Sequence, residues 1–258
     1  MNHPIIDLGS WLEQPAGSYI RAWEQALLDQ LTADIFGFHA LQIGLPQIDA
    51  LAANRMPHKW LTNDILPLKL NQAGQAQIVL VHDFAELPLD SQSIDLVVLP
   101  HVLEFAAEPH QVLREVERIL IPEGRVIISG FNRASLWGAR QQAGRLTGRY
   151  YLPKEGEFIS AARMKDWLKL LNMEVNQADF GCYVPPYESE KWLSRFSFME
   201  KWGQRWWPVF GAVYMVQAIK RVKGMHLIGP VLKHKRLPRG HAVPVVNKIN
   251  KLSKKVNE

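Results

Sequence analysis

Three short apolar runs in the middle of the sequence are each followed directly by residues that can form hydrogen bonds or transfer protons. In chain order these are 77–82 before Asp83-Phe84, 94–99 before Pro100-His101, and 125–129 before Gly130-Phe131-Asn132. The imidazole of His101 could act as a general base if a substrate proton lies within hydrogen-bond distance. Asn132 could hold a substrate, although asparagine is also a common turn residue and a lone histidine often only caps a strand. The residues after the three runs are therefore candidates for a functional site.

The three runs are short, rich in β-branched residues and apolar on both faces, which predicts buried strands. Between the second and third run, apolar residues recur at helical spacing and predict an amphipathic helix. Its stripe consists of Val112, Leu113, Val116, Ile119 and Leu120. The helix is predicted to start at Glu108-Pro109 and to be stopped by Pro122 and Gly124.

A strand, a helix and a second strand with so long a crossover indicate parallel neighbours joined in the right-handed sense. This unit predicts half of a doubly wound α/β sheet. Further helices are predicted at Ser18–Ile35 and Ser160–Leu171, and further strands at 37–43, 58–62, 174–183 and 209–219. In such sheets ligands bind outside the carboxyl ends of the strands, where the candidate residues fall.

The segment 187–207 is rich in aromatic residues. They are Tyr187, Trp192, Phe196, Phe198, Trp202, Trp206 and Trp207. Their nearly helical spacing favours packing against the sheet. The alternative interpretation is a substrate lid or an interfacial patch.

Composition bounds the class of protein. A chain of 258 residues with 47% hydrophobic and 21% charged residues is expected to form one globular domain with a sizeable core. The single cysteine, Cys182, excludes an internal disulfide and suits a reducing compartment. No signal peptide is evident at the N-terminus, and the run 206–219 is too short to span a membrane, so a cytoplasmic location is expected.

The charge is distributed unevenly along the chain. From Lys220 onward there are eleven basic residues and one acid, Glu258, which gives this part a charge of +10 and leaves −5 for the rest of a chain whose net charge is +5. Gly and Pro residues interrupt this stretch. We therefore predict a domain over 1–223, with its core at 37–220, and a basic, flexible tail over 224–258. Such a tail could contact polyanions, either nucleic acid or anionic membrane, or could simply be solvated.

The strand ends resemble those of the class I S-adenosylmethionine-dependent methyltransferases of the type 11 kind. The resemblance rests on the loop 83–89 after the third strand, on 101–105 (HVLEF) after the fourth, and on the turn 122–124 before the fifth. The run 130–140 is similar to that of a narrower bacterial branch, the YafS-like proteins. The resemblance covers roughly 37–221 and is strongest in the middle.

This resemblance implies a Rossmann-like, doubly wound sheet of seven mostly parallel strands, with the last two strands forming an antiparallel hairpin. It also implies S-adenosylmethionine as the cofactor and a methyl acceptor that the sequence does not name, either a small molecule or a nucleic-acid base. The implied cofactor-binding residues are Gly44, Asp64, Asp83, Phe84, Pro100 and His101, and the implied catalytic residues are His101 and Asn132. Asp83 would accept a hydrogen bond from the adenine amino group, and the N–H of Phe84 would meet a ring nitrogen.

The turn after the first strand departs from the family pattern. Only Gly44 remains of several glycines, Gln42 stands where an acid is usual, and Pro46 replaces a second glycine and removes a backbone donor. Two alternatives to an active enzyme therefore stay open: a binding module with the same fold but no turnover, and a polyanion binder that acts through the tail. The sequence contains no G-x-x-x-x-G-K-[ST], H-E-x-x-H, C-x-x-C or G-x-S-x-G motif. P-loop chemistry, zinc sites and serine hydrolysis therefore lose support.

Overall fold

A computed structural model describes residues 4–63, 78–81, 84–147, 152–153, 156–186, 189–196 and 198–221. The chain divides into two units, residues 1–222 and 223–258. The first unit contains every element described below. The second unit, which includes the predicted tail over 224–258, lies outside the described residues.

The first unit is built on a seven-stranded sheet. Its strands are β1 (His39–Ile43), β2 (His58–Asn63), β3 (Ile78–Val81), β4 (Ile94–Pro100), β5 (Leu120–Phe131), β6 (Met173–Gly181) and β7 (Val213–Lys220). They lie in the order β3-β2-β1-β4-β5-β7-β6. The pairs from β3 to β5 are parallel, whereas β7 is antiparallel to both β5 and β6. The predicted mostly parallel α/β fold is confirmed, including the antiparallel hairpin.

The start of β5 corrects the predicted end of the central helix. The helix ends at Ile119, and the strand begins at once with Leu120, so that Pro122 and Gly124 lie inside the strand. Leu120 pairs with Ile94, and the register then shifts before Leu96 pairs with Arg125. This shift accommodates Pro122, which has no N–H to give to the ladder.

Eight α-helices and one 3-10 helix accompany the sheet in the described part of the chain. They are α1 (Pro4–Leu12), α2 (Pro15–Ala33), α3 (Val102–Phe105), α4 (Pro109–Ile119), α5 (Leu136–Thr147), α6 (Ala161–Leu170), α7 (Glu190–Arg195), α8 (Phe198–Trp206) and the 3-10 helix Pro208–Phe210. Helix α4 begins with Pro109 as predicted and buries Val112, Leu113, Val116 and Ile119 against the sheet. Ser160 caps α6 by accepting a hydrogen bond from the N–H of Arg163.

The N-terminal helices pack over the carboxyl ends of the strands. The ring of Trp11 from α1 meets Phe131, at the end of β5, edge-on at 6.0 Å and Trp137 at 6.2 Å. The ring of Trp23 from α2 lies where a Cβ on Gly181, at the end of β6, would be. Helix α1 was not predicted. Together with α2 it covers the edge of the sheet where ligands bind in this class of fold.

The aromatic segment does not pack inward as its spacing favoured. Four tryptophans between the start of α7 and the 3-10 helix have exposed indoles, and Trp206 is exposed to 69%. They are Trp192, Trp202, Trp206 and Trp207. Helix α8 contacts the body through Gly203, which lies directly against the ring of Tyr183. Packing was therefore the wrong interpretation for these four side chains.

Candidate functional site

The carboxyl ends of the parallel strands bring several of the predicted residues together. Gly44 follows β1 with φ +69°, a left-handed conformation, and its N–H donates to the carbonyl of Thr62 at the end of β2 (2.7 Å). A Cβ at Gly44 would lie 3.0 Å from a methyl group of Val102 and 3.5 Å from the ring of Phe84. Gly44 thus lies beside the ring of Phe84 and beside the side chain of Val102, the residue that follows His101.

The connection from β1 to β2 contains no helix and is organised by one amide. The Nε2 group of Gln42 lies within hydrogen-bond distance of the carbonyls of Gly44 (3.2 Å), Leu45 (3.2 Å) and Ile48 (2.7 Å), and its Oε1 accepts from the N–H of Ala50 (2.9 Å). Leu45 and Ile48 are buried. Gln42, noted from the sequence as a departure from the family pattern, therefore holds the loop closed from inside.

His101 lies between two buried carboxylates. It adopts a left-handed conformation (φ +53°) directly after β4, and its ring is fully buried. Its Nδ1 is 2.8 Å from Oε2 of Glu104, whose Oε1 accepts the N–H of Phe131 at 2.6 Å. Its Nε2 is 2.9 Å from Oε1 of Glu24, which is close enough for an ion pair. The two groups are not aligned for a good hydrogen bond. We call Glu24, His101 and Glu104 the acid–histidine cluster.

The electrostatics of this cluster follow from burial and pairing. Burial alone would lower the pKa of His101, but the carboxylates of Glu24 and Glu104 outweigh it and raise the pKa to about 10. Burial raises the pKa of Glu104, and its bonds to His101 and Phe131 act in the opposite direction. A protonated imidazole cannot accept a further proton, which favours a positioning role for His101 over the general-base role predicted from the sequence.

Glu24 was not among the residues predicted from the sequence. It lies on α2 between Ile20 and Leu28 at four-residue spacing, so a carboxylate interrupts an apolar stripe. That interruption is the signal that could have identified it, since a fully buried Glu needs a partner. Its Oε2 has no hydrogen-bond partner among the described residues.

Asn132 uses its side chain to join two parts of the sheet. Its Nδ2 donates to the carbonyls of Val209 (2.7 Å) and Gly211 (2.9 Å), just before β7, and its Oδ1 accepts from the N–H of Ala134 (3.1 Å). Both amide hydrogens are therefore engaged within the protein. The predicted catalytic role of Asn132 stays a prediction, and in this conformation the side chain fixes the loop after β5.

An apolar cavity of about 440 Å³ lies beside this loop. Residues that follow β5 form one wall, and Tyr183, α8 and the 3-10 helix form the other. Among its lining residues are Ala134, Leu136, Met199, Trp202, Trp207 and Phe210. The cavity therefore offers contacts to an apolar group rather than to an ion.

Two predicted cofactor residues, Asp64 and Asp83, lie outside the described residues. Pro100 ends β4 and pairs with Ser129. Across the described ranges no group of His, Cys, Asp and Glu side chains could hold a metal ion. Nor does any helix in those ranges have the length and apolar character needed to cross a membrane.

Comparison with known sequences identifies a methyltransferase domain over residues 47–128. The protein YafS of Escherichia coli K12 is 30% identical to this chain over 239 residues, which is 91% of this chain and 90% of YafS. The demethylmenaquinone methyltransferase of Bacillus velezensis is 31% identical over 103 residues, but this covers only 39% of this chain and 44% of that enzyme.

Comparison with solved structures finds the same fold. A chain in the complex of the Haloferax volcanii Trm112 methyltransferase activator with a methyltransferase superposes with a TM-score of 0.59 at 17% identity, over 85% of this chain and 98% of that one. An S-adenosylmethionine-dependent methyltransferase from Archaeoglobus fulgidus superposes with a TM-score of 0.55 at 17% identity, over 78% and 94% of the two chains. With the strand order and the match to YafS, these findings show that the chain belongs to the YafS-like branch of the class I S-adenosylmethionine-dependent methyltransferases.

Proposed function

We propose that this methyltransferase binds S-adenosylmethionine at the carboxyl ends of β1 to β4 and transfers its methyl group to a small molecule or a nucleic-acid base. The residues proposed to hold the cofactor are Gly44, Asp64, Asp83, Phe84, Pro100 and His101. The observation that carries the proposal is the convergence of left-handed Gly44, Phe84 and the acid–histidine cluster at one edge of the sheet.

The chemistry of this edge fits the cofactor. S-adenosylmethionine presents a sulfonium, an ammonium and hydroxyl groups. The described edge has a buried carboxylate oxygen of Glu24 and the hydroxyl of Thr62, neither of which has a protein partner among the described residues. The buried carboxyl groups of Glu24 and Glu104 offer oxygen acceptors to a cationic group of the cofactor.

The sulfonium supplies an activated methyl group, so the task of this chain is mainly to position the acceptor and exclude water. The N-terminal helices serve water exclusion, because Trp11 and Trp23 cover the ends of β5 and β6. Glu104 ties His101 to the N–H of Phe131 and so fixes the end of β4 relative to the end of β5. In this proposal His101 and Asn132 set the shape of the acceptor site.

The cofactor site is tested by replacing Asp83. We expect Asp83→Ala to weaken cofactor binding by about 1–3 kcal/mol, because an adenine amino group would lose its acceptor. Isothermal titration calorimetry with S-adenosylmethionine and with its demethylated product measures this change. Asp90→Ala is the matched control, because Asp90 is an exposed carboxylate of the same loop region. Equal affinities of the Asp83 variant and the wild type would remove Asp83 from the site.

Turnover is tested by transfer of a labelled methyl group from S-adenosylmethionine to components of a cell extract. The competing function is a binding module without turnover, and the closed loop around Gln42 and Pro46 is the observation that favours it. Cofactor binding with methyl transfer supports the enzyme. Cofactor binding without transfer to any fraction of the extract supports the module, and no binding at millimolar cofactor refutes both.

We also propose that the basic tail over 224–258 contacts polyanions. The sequence supports this, since the tail contains eight basic residues and a single acid, Glu258. A chain that ends after Val222 should keep its fold and cofactor site but bind RNA, DNA or anionic vesicles about tenfold less tightly, because counterion release is lost. Titrations at increasing salt measure the effect, and equal binding by both chains would refute the proposal.

We further propose that the protein acts in the cytoplasm. Its only cysteine, Cys182, is free and buried, and burial raises the pKa of its thiol well above the usual value. Such a thiol is protected from oxidation and does not require an oxidising compartment. Cell fractionation with protease protection tests this location, and recovery outside the cytoplasmic membrane would refute it.

A further inference from the structure

Helix α8 and the 3-10 helix after it present a continuous set of exposed apolar side chains. These are Phe198, Trp202, Trp206, Trp207, Val209 and Phe210, which we call the aromatic surface. Every one of them is about half exposed or more, and Trp202 reaches 61%. Soluble proteins rarely leave so many large apolar side chains together in water, so the aromatic surface indicates a binding partner.

The charges around the aromatic surface are positive. On α8, Lys201 and Arg205 are exposed and lie one turn apart. Each directly precedes a tryptophan, Trp202 or Trp206. The one acid of this helix, Glu200, points inward and accepts the N–H of Tyr183 at 3.1 Å. The outward side of α8 therefore carries aromatic rings, two cations and the neutral amide of Gln204.

This combination matches the chemistry of a membrane interface. Tryptophan is enriched at the boundary between head groups and acyl chains, since its ring is apolar and its N–H is polar. Helices that lie in this plane carry Trp, Phe or Leu on one side and Lys or Arg beside it. A protein partner would need an acidic apolar groove, whereas an anionic bilayer offers both negative charge and apolar depth over its whole area.

The apolar cavity lies directly under the aromatic surface. Trp202, Trp207 and Phe210 belong to both, so the cavity opens among the rings that would enter the bilayer. Its other wall is formed by Ala134 and Leu136, which follow the end of β5. The cavity therefore provides an apolar lining between the aromatic surface and the residues that follow β5.

We propose that the aromatic surface docks on a bilayer that contains anionic phospholipids and that the protein binds this membrane peripherally. The aromatic rings enter the interface, and Lys201 and Arg205 contact the phosphate groups. This inference stands apart from the proposed methyl transfer, since it depends on neither the cofactor site nor the acid–histidine cluster.

The test is flotation of the full-length protein with vesicles of phosphatidylcholine alone or of phosphatidylcholine with phosphatidylglycerol. The variant is the double substitution Trp202→Ala and Trp206→Ala. The matched control is Phe36→Ala with Phe38→Ala, which removes two exposed rings near the start of β1, at the amino edge of the sheet. We expect the tryptophan variant to bind mixed vesicles about tenfold less tightly than the wild type, and the control to bind equally well.

The charged residues are tested separately. Lys201→Gln with Arg205→Gln should weaken binding to vesicles with phosphatidylglycerol and leave the weaker binding to phosphatidylcholine unchanged. Quenching of tryptophan emission by brominated acyl chains should occur in the wild type and decrease in the tryptophan variant. This measurement shows insertion directly and does not depend on comparing the stabilities of the variants.

Three results would overturn the proposal. Failure of the wild type to float with mixed vesicles would exclude membrane docking. Equal flotation of the tryptophan variant and the wild type would assign binding to another part of the chain, such as the basic tail. Self-association of the wild type in sedimentation velocity, absent in the tryptophan variant and accompanied by no vesicle binding, would assign the surface to a second copy of this chain.

Discussion

Glu104→Ala is expected to lower the free energy of unfolding by about 3–5 kcal/mol, the usual cost of breaking a buried pair from one side. The substitution would leave two buried donors without acceptors, Nδ1–H of His101 and the N–H of Phe131. Each unsatisfied donor costs about 1–3 kcal/mol, and the void left by the carboxylate adds to this. Urea denaturation followed by circular dichroism measures the change.

Two further variants make this prediction specific. Glu104→Gln keeps an acceptor for Phe131 and should cost clearly less than Glu104→Ala. Glu108→Ala is the matched control, because Glu108 is exposed and its side chain makes no capping hydrogen bond at the start of α4. A Glu104→Ala protein as stable as the Glu108→Ala protein would show that the acid–histidine cluster contributes little to folding.

The second prediction concerns the dependence of stability on pH. Since the pKa of His101 is raised from 6.5 to about 10 in the folded protein, its contribution is complete below pH 6.5 and is lost as the pH rises toward 10. In this window the contribution should decrease by about 1.4 kcal/mol per pH unit, because the folded chain binds a proton that the unfolded chain has released. Over the whole window the loss is about 5 kcal/mol.

The measurement compares the wild type with His101→Gln between pH 6.5 and 9, below the range in which lysines titrate. The other histidines are present in both proteins, so the difference between the two profiles reports on the acid–histidine cluster. The wild type should lose its advantage over the variant steadily as the pH rises. Parallel profiles would mean that the imidazole has an ordinary pKa and that Glu24 and Glu104 do not hold it in the charged form.

Much of the fold could be predicted because its strands are buried on both faces. Runs such as 96–99 must be apolar throughout to pair centrally in a parallel sheet, and this composition is visible without a structure. The start of α4 was equally clear, since Pro109 suits the first turn of a helix. The antiparallel pairing of β6 with β7 came from the family resemblance, because composition alone does not determine which strands pair.

The candidate site was less accessible to prediction, for reasons that lie in particular residues. His101 and Phe84 follow strands and were found by position, but their partners come from distant parts of the chain. Glu24 reaches His101 across 77 positions of sequence. Gln42 appeared as a loss of the usual acid, whereas four contacts of its amide organise the loop. Side-chain hydrogen bonds of this kind leave no periodic pattern in a sequence.

For the aromatic segment, the spacing predicted burial, but the structure shows exposed side chains. Helical spacing of apolar residues normally identifies the buried face of a helix. In α8 the buried contact is made by Gly203 against Tyr183, and the exposed positions carry the tryptophans. The periodicity was therefore real, but it described the side of the helix that faces away from the body.

The place of β7 in the sheet determines when this protein can finish folding during its synthesis. Among the strands that the structure describes, β6 pairs only with β7, yet β7 ends roughly 40 residues after β6 in the chain. At translation rates of about 5–20 residues per second, β6 waits about 2–8 s before its partner has been made. During that interval the nascent chain exposes the unpaired edges of β5 and β6, to which strands of neighbouring chains can add. Slower translation between the codons for Gly181 and Val213 would lengthen this exposure and lower the yield of folded protein.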